Sequence, residues 1–314
     1  MEDSRLVNSQ KLSKSIQQLE LEARGLNFSE RVPYLRLTGN GLVLAYRLPD
    51  LSPSGDSNQV ICLNIDPLDF RDAPFTILLE GAYEPILSEI LLSISKDAKV
   101  FVDVGANVGF YSIAVALVSP TCSVHAFEPN PGLWNKLGQN LDLNQVEPRV
   151  RLHKYGLDTK TGELDFFIPA ETGTGGGSLR NLHPEEGSPE VKTVKVMPFS
   201  EVPNKPEPDL VKIDVEGNEK AVVESMLTSI SANHPSIIIE LLRKWMAPFG
   251  NHPMDVATVL LKLGYHMFAI SNLGLTEVSF IDESTDETNF LFVHPSREKH
   301  LTIAQDYLQK PKVM

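Results

Sequence analysis

The chain is poor in cysteine, which limits the ways in which it can be cross-linked or can bind a metal. Only two cysteines, Cys62 and Cys122, occur among its 314 residues. Two cysteines do not make a disulfide framework, and neither lies in a CxxC motif or in a Cys/His cluster of the kind that holds zinc. We therefore interpret both as buried thiols and predict no redox or zinc site at them.

Long hydrophobic runs and an excess of positive charge are also missing. No apolar stretch approaches the roughly 20 residues that cross a bilayer, and the start MEDSR lacks the basic and apolar regions of a signal peptide. The formal net charge is −13, whereas a protein that binds phosphate backbones needs clustered basic side chains. We expect a cytoplasmic protein that has no membrane span and no nucleic-acid partner.

What the sequence does contain, from about residue 79, is a regular alternation of strand and helix patterns. Strands are predicted at residues 100–104, 123–127, 150–155, 210–213, 236–241, 266–270 and 289–293. Helices are predicted at residues 83–95, 108–118, 131–143, 219–231 and 253–263. Because several of these strands are almost wholly apolar, both of their faces should be covered. The pattern predicts an α/β fold with a doubly wound, mostly parallel sheet of seven strands and helices on both faces.

An N-terminal extension, residues 1–78, is expected before this domain. Its first 30 residues have the pattern of an amphipathic helix, and short strands are predicted at residues 35–37, 41–47 and 60–65. We expect the helix to dock on the body of the protein or on a second subunit, which leaves a homodimer open.

The main domain is predicted to span residues 79–296 and to be followed by a C-terminal tail, residues 297–314. Residues 156–209 interrupt its alternation with two strand-like runs around the glycine-rich segment 172–178. We interpret this part as an inserted β-hairpin, and its glycine-rich tip as either a lid or a disordered surface loop.

The strongest functional signal is the segment VFVDVGANVGFY, residues 100–111. A buried strand leads through Asp103 into a turn at Gly105, and a helix begins shortly afterwards, so a ligand can approach the backbone and the helix N-terminus. Dinucleotide-binding folds have a second glycine where this chain has Asn107. A carboxylate at Asp103 is poorly placed for a pyrophosphate and suits a ligand with an ammonium group, such as S-adenosylmethionine.

Two further acidic segments follow at strand ends. HAFEP places Glu128 at the tip of the next strand, where a carboxylate accepts hydrogen bonds from ribose hydroxyls. LVKIDVEGNE places Asp214, Glu216 and Glu219 after a later strand, and neighbouring acids there are candidates for proton transfer or cation binding. Glu219 is equally well explained as the start of the following helix.

The segments VFVDVGANVGFYS, HAFEPNP and LVKIDVEGNE together resemble the signature of the FkbM family of methyltransferases. YEP at residues 83–85, IIIEL at 237–241 and NFLF at 289–292 fit the same family. The resemblance extends from about residue 80 to residue 294. It implies a class I, Rossmann-like fold and an S-adenosylmethionine-dependent methyltransferase.

The resemblance also implies roles for individual residues. The cofactor would be bound by Glu84, Asp103, Gly105, Ala106, Asn107, Gly109, Glu128, Pro129, Leu157, Asp158 and Asp214. Asp214 and Glu216 would face the transferred methyl group. A base near the acceptor helps to remove its proton, and our candidates are Asp214, Glu216 and Glu240, in that order. The same three acids have the hard oxygen ligands that Mg²⁺ prefers, but a metal is not predicted.

The acceptor is expected to be a small molecule or a glycan. We favour O-methylation of a hydroxyl on a sugar, a glycan or a specialised metabolite, with N-methylation of a peptide-derived or other small metabolite as the alternative. A nucleic-acid methyltransferase is disfavoured because Asp214-Val-Glu-Gly217 stands where such enzymes usually have a polar-Pro-Pro-aromatic run. An NAD-dependent oxidoreductase and a non-catalytic cofactor-binding protein are the remaining alternatives.

Overall fold

The structure is a computed structural model that describes residues 32, 34–38, 41–51, 59–66, 72–170 and 174–308. The predicted N-terminal helix lies outside the described residues and stays a prediction. Of the glycine-rich run, residues 174–178 are described.

The described residues form fourteen strands and eight α-helices. The strands are β1 (Tyr34–Thr38), β2 (Gly41–Arg47), β3 (Val60–Ile65), β4 (Val100–Val104), β5 (Ser123–Phe127), β6 (Val150–His153), β7 (Gly156–Leu157), β8 (Gly162–Ile168), β9 (Glu190–Met197), β10 (Leu210–Ile213), β11 (Ser236–Glu240), β12 (His266–Ser271), β13 (Gly274–Val278) and β14 (Asn289–Val293). The helices are α1 (Ala73–Glu80), α2 (Pro85–Ser95), α3 (Phe110–Val118), α4 (Trp134–Asn144), α5 (Glu219–Asn233), α6 (Arg243–Met246), α7 (Pro253–Lys262) and α8 (Glu298–Asp306).

The main sheet has the strand order β13-β12-β14-β11-β10-β4-β5-β6. Strands β11, β10, β4, β5 and β6 are parallel neighbours, and β14 runs antiparallel to both β11 and β12. The predicted α/β fold with a mostly parallel sheet is confirmed.

The sheet has eight strands, one more than the seven predicted. The additional strand, β13, pairs antiparallel with β12 at the edge of the sheet. Only Gly274 and Leu275 of its five residues are buried. The strand therefore has no sustained apolar pattern by which the sequence could have revealed it.

Helices cover both faces of this sheet, as predicted. Phe101, Leu210 and Ile238, from three adjacent strands, pack with helices α2 and α3 on one face. Their neighbours in the sequence, such as Val102 and Val211, pack with helices α5 and α7 on the other face. The near-continuous apolar strands thus reflect burial on both sides. None of the helices in the described part of the chain has the length and hydrophobicity needed to cross a lipid bilayer.

The strands β1, β2 and β3 form a separate antiparallel sheet that is attached to helix α4. The side chain of Asn144 accepts a hydrogen bond from the backbone N–H of Cys62 at 2.8 Å. The side chain of Asn140 accepts one from the N–H of Asn64 at 2.9 Å. Both cysteines are free thiols, and Cys122 is buried whereas Cys62 is half-buried.

Residues 156–209 contain a second small sheet, with the order β7-β9-β8. Strands β8 and β9 are antiparallel. Strand β7, which follows β6 in the chain, pairs parallel with β9. Ser178 pairs with Phe167 through two backbone hydrogen bonds of 2.7 and 3.0 Å, so the glycine-rich segment returns to strand β8.

Candidate functional site

The described residues enclose a cavity of about 340 Å³ at the carboxyl ends of the central strands. Ligands bind at this edge in doubly wound sheets. Eleven of the predicted site residues line it, namely Glu84, Asp103, Gly105, Ala106, Asn107, Glu128, Pro129, Leu157, Asp214, Glu216 and Glu240. Gly109 and Asp158, which the structure also describes, lie outside the lining. The residues that the sequence singled out therefore meet around one cavity, with two exceptions.

The turn after β4 closes one side of this cavity. Gly105 has a φ of 86°, in the left-handed region that favours glycine. A Cβ at this position would lie 1.8 Å from the backbone carbonyl oxygen of Asp214. The backbone N–H groups of Gly105 and Ala106 both donate to the carbonyl oxygen of Phe127 at 3.0 Å. The turn therefore joins β4 to both of its neighbouring strands.

Glu128 connects the ends of β4 and β5. Its side chain is 4% exposed, and its two carboxyl oxygens accept the backbone N–H groups of Asn107 and Asn130, each at 2.8 Å. Burial raises the pKa of Glu128 to about 7, although both of these hydrogen bonds favour the ionised form. The carboxyl group thus holds the glycine turn in place and changes its charge near neutral pH.

Asp103 and Asn107, which both line the cavity, each have a buried side-chain oxygen without a hydrogen-bond partner among the described residues. Asp103 is 1% exposed, and its Oδ2 accepts a hydrogen bond from the Ser112 hydroxyl at 2.6 Å, whereas its Oδ1 is unpartnered. The side-chain oxygen of Asn107 is likewise buried and unpartnered. Because a buried polar atom without a partner is costly, both oxygens are suited to accept hydrogen bonds from a ligand.

Three acidic side chains lie together at another part of the lining. Oxygen atoms of Asp214, Glu216 and Glu240 all lie within 4.8 Å of one another, and each residue is half-buried. Burial raises the pKa of Glu240 well above its usual range, and the charges of Asp214 and Glu216 raise it further. Such a group of oxygens is compatible with a divalent cation. It equally suits a ligand with groups that donate hydrogen bonds to the carboxylates.

Glu84 approaches the same part of the cavity from the start of helix α2. It accepts hydrogen bonds from the Tyr111 hydroxyl at 2.7 Å and from the Asn289 amide at 3.3 Å. Burial raises the pKa of Glu84, which the charge of Lys212 lowers in part. The family resemblance pointed to Glu84, whereas the two partners that fix its position were not predicted.

Three of the six described residues other than glycine that have a positive φ line the cavity. Glu84, Asn107 and Glu216 have φ values of 41°, 51° and 54°, a region that residues other than glycine rarely adopt. All three line the cavity. Strained backbone of this kind persists where the surrounding structure holds a functional group in place.

Lys212 is a cavity residue that the sequence reasoning missed. Its side chain lines the cavity, is 5% exposed and donates a hydrogen bond to Asp214 Oδ2 at 2.8 Å. Burial alone would lower the pKa of Lys212, but the charges of Asp214, Glu84 and Asp103 raise it above its ordinary value. The signal in the sequence was a single lysine inside an otherwise apolar strand, LVKI, because a buried lysine needs a partner.

The inserted segment supplies one wall of the cavity. Phe166, Leu179 and Val196 line it, together with Gly175 and Gly177. Nearby, the hydroxyl group of Ser178 donates a hydrogen bond to the backbone carbonyl oxygen of Glu216 at 2.6 Å. The insertion therefore contacts the segment that follows β10. Whether it opens as a lid stays a prediction.

The comparison with known families agrees with this geometry. A sequence model described as "Methyltransferase FkbM domain" matches residues 103–267. The chain belongs to this family. The resemblance drawn from the three sequence segments is thereby confirmed, and the FkbM match includes Asp103, Glu128, Asp214, Glu216 and Glu240.

Several methyltransferases resemble the chain over part of its length. The hexuronic acid methyltransferase AglP of Haloferax volcanii is 29% identical over 171 residues, which cover 54% of this chain and 65% of AglP. Methyltransferase 1 of Beauveria bassiana is 27% identical over 153 residues, which cover 41% of this chain and 59% of that protein. The match thus spans less than two thirds of either relative. The solved FkbM methyltransferase of Methylobacillus flagellatus KT is 16% identical and gives a TM-score of 0.40, covering 62% of this chain and 43% of that one.

Proposed function

We propose that the protein uses S-adenosylmethionine to methylate a hydroxyl group on a sugar, a glycan or a specialised metabolite. The observation that carries this proposal is the pair of buried, unpartnered oxygens on Asp103 and Asn107, in one cavity with Glu128 and the acids Asp214 and Glu240. One part of the lining thus offers hydrogen-bond acceptors for the polar groups of a cofactor, and another part offers a base that can take up a proton.

The cofactor would be held by residues at the ends of β4 and β5. Asp103 suits the ammonium group of the methionine part, because its free oxygen is buried and negatively charged when ionised. Glu128 suits the ribose hydroxyls, and the bend at Gly105 leaves the backbone open to the ligand. Leu157 offers an apolar contact for the adenine. Asp158 lies outside the lining and accepts a hydrogen bond from the Asn218 amide at 3.2 Å, so its contribution would be indirect.

S-adenosylmethionine supplies a methyl group bound to a positively charged sulfur, which leaves as the neutral thioether when the acceptor attacks. The protein's part is to align the acceptor oxygen and to take up its proton. Glu240 suits this second task because burial and the charges of Asp214 and Glu216 raise its pKa, so its carboxylate is a stronger base than that of an exposed glutamate. In this proposed transfer the O–CH₃ bond would form as the C–S bond breaks, and Glu240 would take up the hydroxyl proton.

The charge of the lining favours a hydroxyl-bearing acceptor. Glu84, Asp214, Glu216 and Glu240 all line the cavity, and carboxylate oxygens accept hydrogen bonds from the hydroxyls of a sugar. AglP, which resembles the chain over 171 residues, is named for its action on a hexuronic acid. A sugar hydroxyl is therefore the acceptor we favour.

The proposal is tested in two steps on the full chain. Titration calorimetry compares S-adenosylhomocysteine with NAD, and we expect only the former to bind. Mass spectrometry then follows transfer from methyl-labelled S-adenosylmethionine to D-glucuronic acid and to D-glucose, with a gain of one methyl group on oxygen as the expected product. Binding of NAD alone would refute the cofactor. If a panel of amines accepts the label and neither sugar does, the N-methylation alternative replaces O-methylation.

A further inference from the structure

We propose that Lys212 is a positioning residue, which fixes Asp214 and offsets the negative charge of the carboxylates around the cavity. The proposal rests on the proposed methyl transfer. It adds a residue to the reaction for which the sequence motifs suggested only acids.

The register of the sheet brings Lys212 to this position. Lys212 of β10 pairs with Asp103 of β4 on one side and with Ile238 of β11 on the other. In parallel strands paired residues project from the same face, and along a strand the side chains alternate. Lys212 and Asp103 are therefore side by side on the face covered by α2 and α3, one step before the strands open into the cavity.

The ammonium group of Lys212 contacts the Asp214 carboxylate and lies over the Tyr111 ring. Its Nζ lies 2.8 Å from Asp214 Oδ2 and 4.9 Å from the centre of the Tyr111 ring. The phenol of Tyr111 in turn donates to Glu84 at 2.7 Å. The ammonium thus connects β10 to helix α3, and through Tyr111 to Glu84 at the start of α2.

Charge balance explains why a cation is needed here. Asp103, Glu84, Asp214, Glu216 and Glu240 all line the cavity. Among the described residues of the lining, Lys212 is the only one with a cationic side chain. Several buried carboxylates without a cation would repel one another and would favour protonation.

The ion pair also determines the orientation of Asp214. The Lys212 side chain is 5% exposed and that of Asp214 is 28% exposed, so water screens the pair weakly and the ammonium occupies one carboxyl oxygen. The other oxygen is left for the cavity. A displacement of about 1 Å at an alignment residue reduces turnover by about 100-fold. Lys212 is thus expected to act on the rate through Asp214.

A double-mutant cycle tests this inference on the full chain. Lys212→Met, Asp214→Asn and the double variant are compared for their dissociation constant of S-adenosylhomocysteine and their rate of methyl transfer to D-glucuronic acid, or to D-glucose if the parent prefers it. We expect Lys212→Met to bind S-adenosylhomocysteine within about threefold of the parent and to transfer methyl about 100-fold more slowly. In the Asp214→Asn background the same substitution should slow transfer less than about threefold, because the group it positions is already altered.

Two additional variants separate positioning from folding. Lys212→Arg keeps the charge, and we expect it to recover at least about a tenth of the parental rate. Lys205→Met is the matched control, because Lys205 pairs with Glu207 at 3.1 Å and lies 6.0 Å from the Phe199 ring, outside the cavity lining. It should leave both readouts unchanged.

The possible outcomes distinguish this inference from the proposed function. If the rate losses of Lys212→Met and Asp214→Asn multiply, or if Lys212→Met also loses binding, Lys212 has a purely structural role and the inference is wrong. Where Lys212→Met alone folds poorly, Lys212→Arg is the deciding variant, and a rate below about a tenth of the parental value would overturn the inference. A parent that neither binds S-adenosylhomocysteine nor transfers methyl would overturn the proposed function, and this inference with it.

Discussion

Gly105 and Asp214 face each other so closely that a Cβ on the glycine would lie 1.8 Å from the carbonyl oxygen of the aspartate. The two residues belong to different sequence motifs and are more than 100 residues apart in the chain. The backbone N–H of Asp214 also donates to the carbonyl oxygen of Val104 at 3.0 Å. The glycine is therefore required for the approach of two strand ends to each other, in addition to any contact with a ligand.

This contact predicts that Gly105→Ala destabilises the fold. The added methyl group would overlap a backbone oxygen at a φ of 86°, so we expect the free energy of unfolding to fall by at least about 2–3 kcal/mol. Chemical denaturation measures the loss. Gly138→Ala in helix α4 is the control, because a Cβ there meets no atom within 4 Å. It should be neutral or stabilising by about 0.5–1 kcal/mol, and equal effects of the two substitutions would contradict the prediction.

The cofactor end of the cavity predicts weaker binding when either strand-tip acid is removed. Asp103→Ala and Glu128→Ala should each weaken S-adenosylhomocysteine binding by about 1–3 kcal/mol, the range for the loss of a charged or buried hydrogen-bond partner. Calorimetry measures both. Glu163→Ala, on the exposed part of β8, is the control and should bind as the parent does. Parental affinity in both cavity variants would show that the cofactor is held elsewhere.

The fold was largely predictable because burial on both faces left near-continuous apolar strands. Asp103, Glu128 and Asp214 were identified because Asp103 lies near the end of such a strand and the other two directly follow one, and the carboxyl ends of parallel strands meet at one edge. Strand β13 escaped prediction because it is an exposed edge strand with a short buried segment. Its pairing depends on the turn after β12, which no periodicity reveals.

The site was less predictable than the fold where the contacts join distant parts of the chain. The hydrogen bond between Asn289 and Glu84 spans 205 residues, and nothing local in the sequence specifies it. Lys212 was missed because a lysine is usually solvent-exposed, whereas the apolar strand LVKI that contains it is buried throughout. Asp158 was assigned by resemblance alone, and it lies outside the cavity lining.

Glu128 predicts that cofactor binding depends on pH. Its pKa of about 7 in the free protein means that the carboxylate needed to accept ribose hydrogen bonds is mostly protonated at pH 6. We expect the affinity for S-adenosylhomocysteine to rise about tenfold between about pH 6 and about pH 8. Calorimetry across this range measures it. Glu128→Gln, which does not titrate, should flatten the profile, and an unchanged profile in this variant would assign the pH dependence to another group.

The same group has the opposite effect on the stability of the free protein. Because burial raises the pKa of Glu128 from its usual value of 4.5 to about 7, the folded state binds more protons than the unfolded state between these two values. The contribution of Glu128 to the free energy of unfolding therefore decreases as the pH rises through this window. Glu219, whose pKa burial also raises to about 7, contributes with the same sign. Thermal unfolding should show that the stability of Glu128→Gln decreases less across this pH window than the stability of the parent. An equal decrease in stability would count against this assignment.

Glu240 is predicted to affect the rate of transfer far more than the binding of the cofactor. Glu240→Gln removes the proposed proton acceptor and keeps its shape, so turnover should fall by about 10²–10⁴-fold, while the dissociation constant of S-adenosylhomocysteine stays within about threefold of the parent's. The control is Glu224→Gln, which alters a half-exposed acid 4.0 Å from Lys220 on helix α5. A similar loss of binding and rate in Glu240→Gln would assign Glu240 to the cofactor end.

The insertion is predicted to act on the acceptor end through Ser178. Its hydroxyl donates to the backbone carbonyl oxygen of Glu216 at 2.6 Å, and Glu216 has a strained φ of 54°. Ser178→Ala leaves this carbonyl without its side-chain donor, so we expect a loss of about 1 kcal/mol in the free energy of unfolding.

Turnover in Ser178→Ala should fall more than the affinity for S-adenosylhomocysteine, because Glu216 belongs to the acidic cluster with Asp214 and Glu240. Ser225→Ala is the matched control, since the Ser225 hydroxyl donates to the carbonyl oxygen of Val222 at 2.8 Å on helix α5, away from the cavity lining. Both variants lose one bond from a hydroxyl to a backbone carbonyl, and Ser178→Ala also loses the bond that the Arg180 N–H donates to the hydroxyl at 3.3 Å. A loss of turnover confined to Ser178→Ala would therefore come from the contacts of Ser178 with Glu216 and Arg180. Equal turnover in the two variants would mean that the insertion contributes to stability without influencing the reaction.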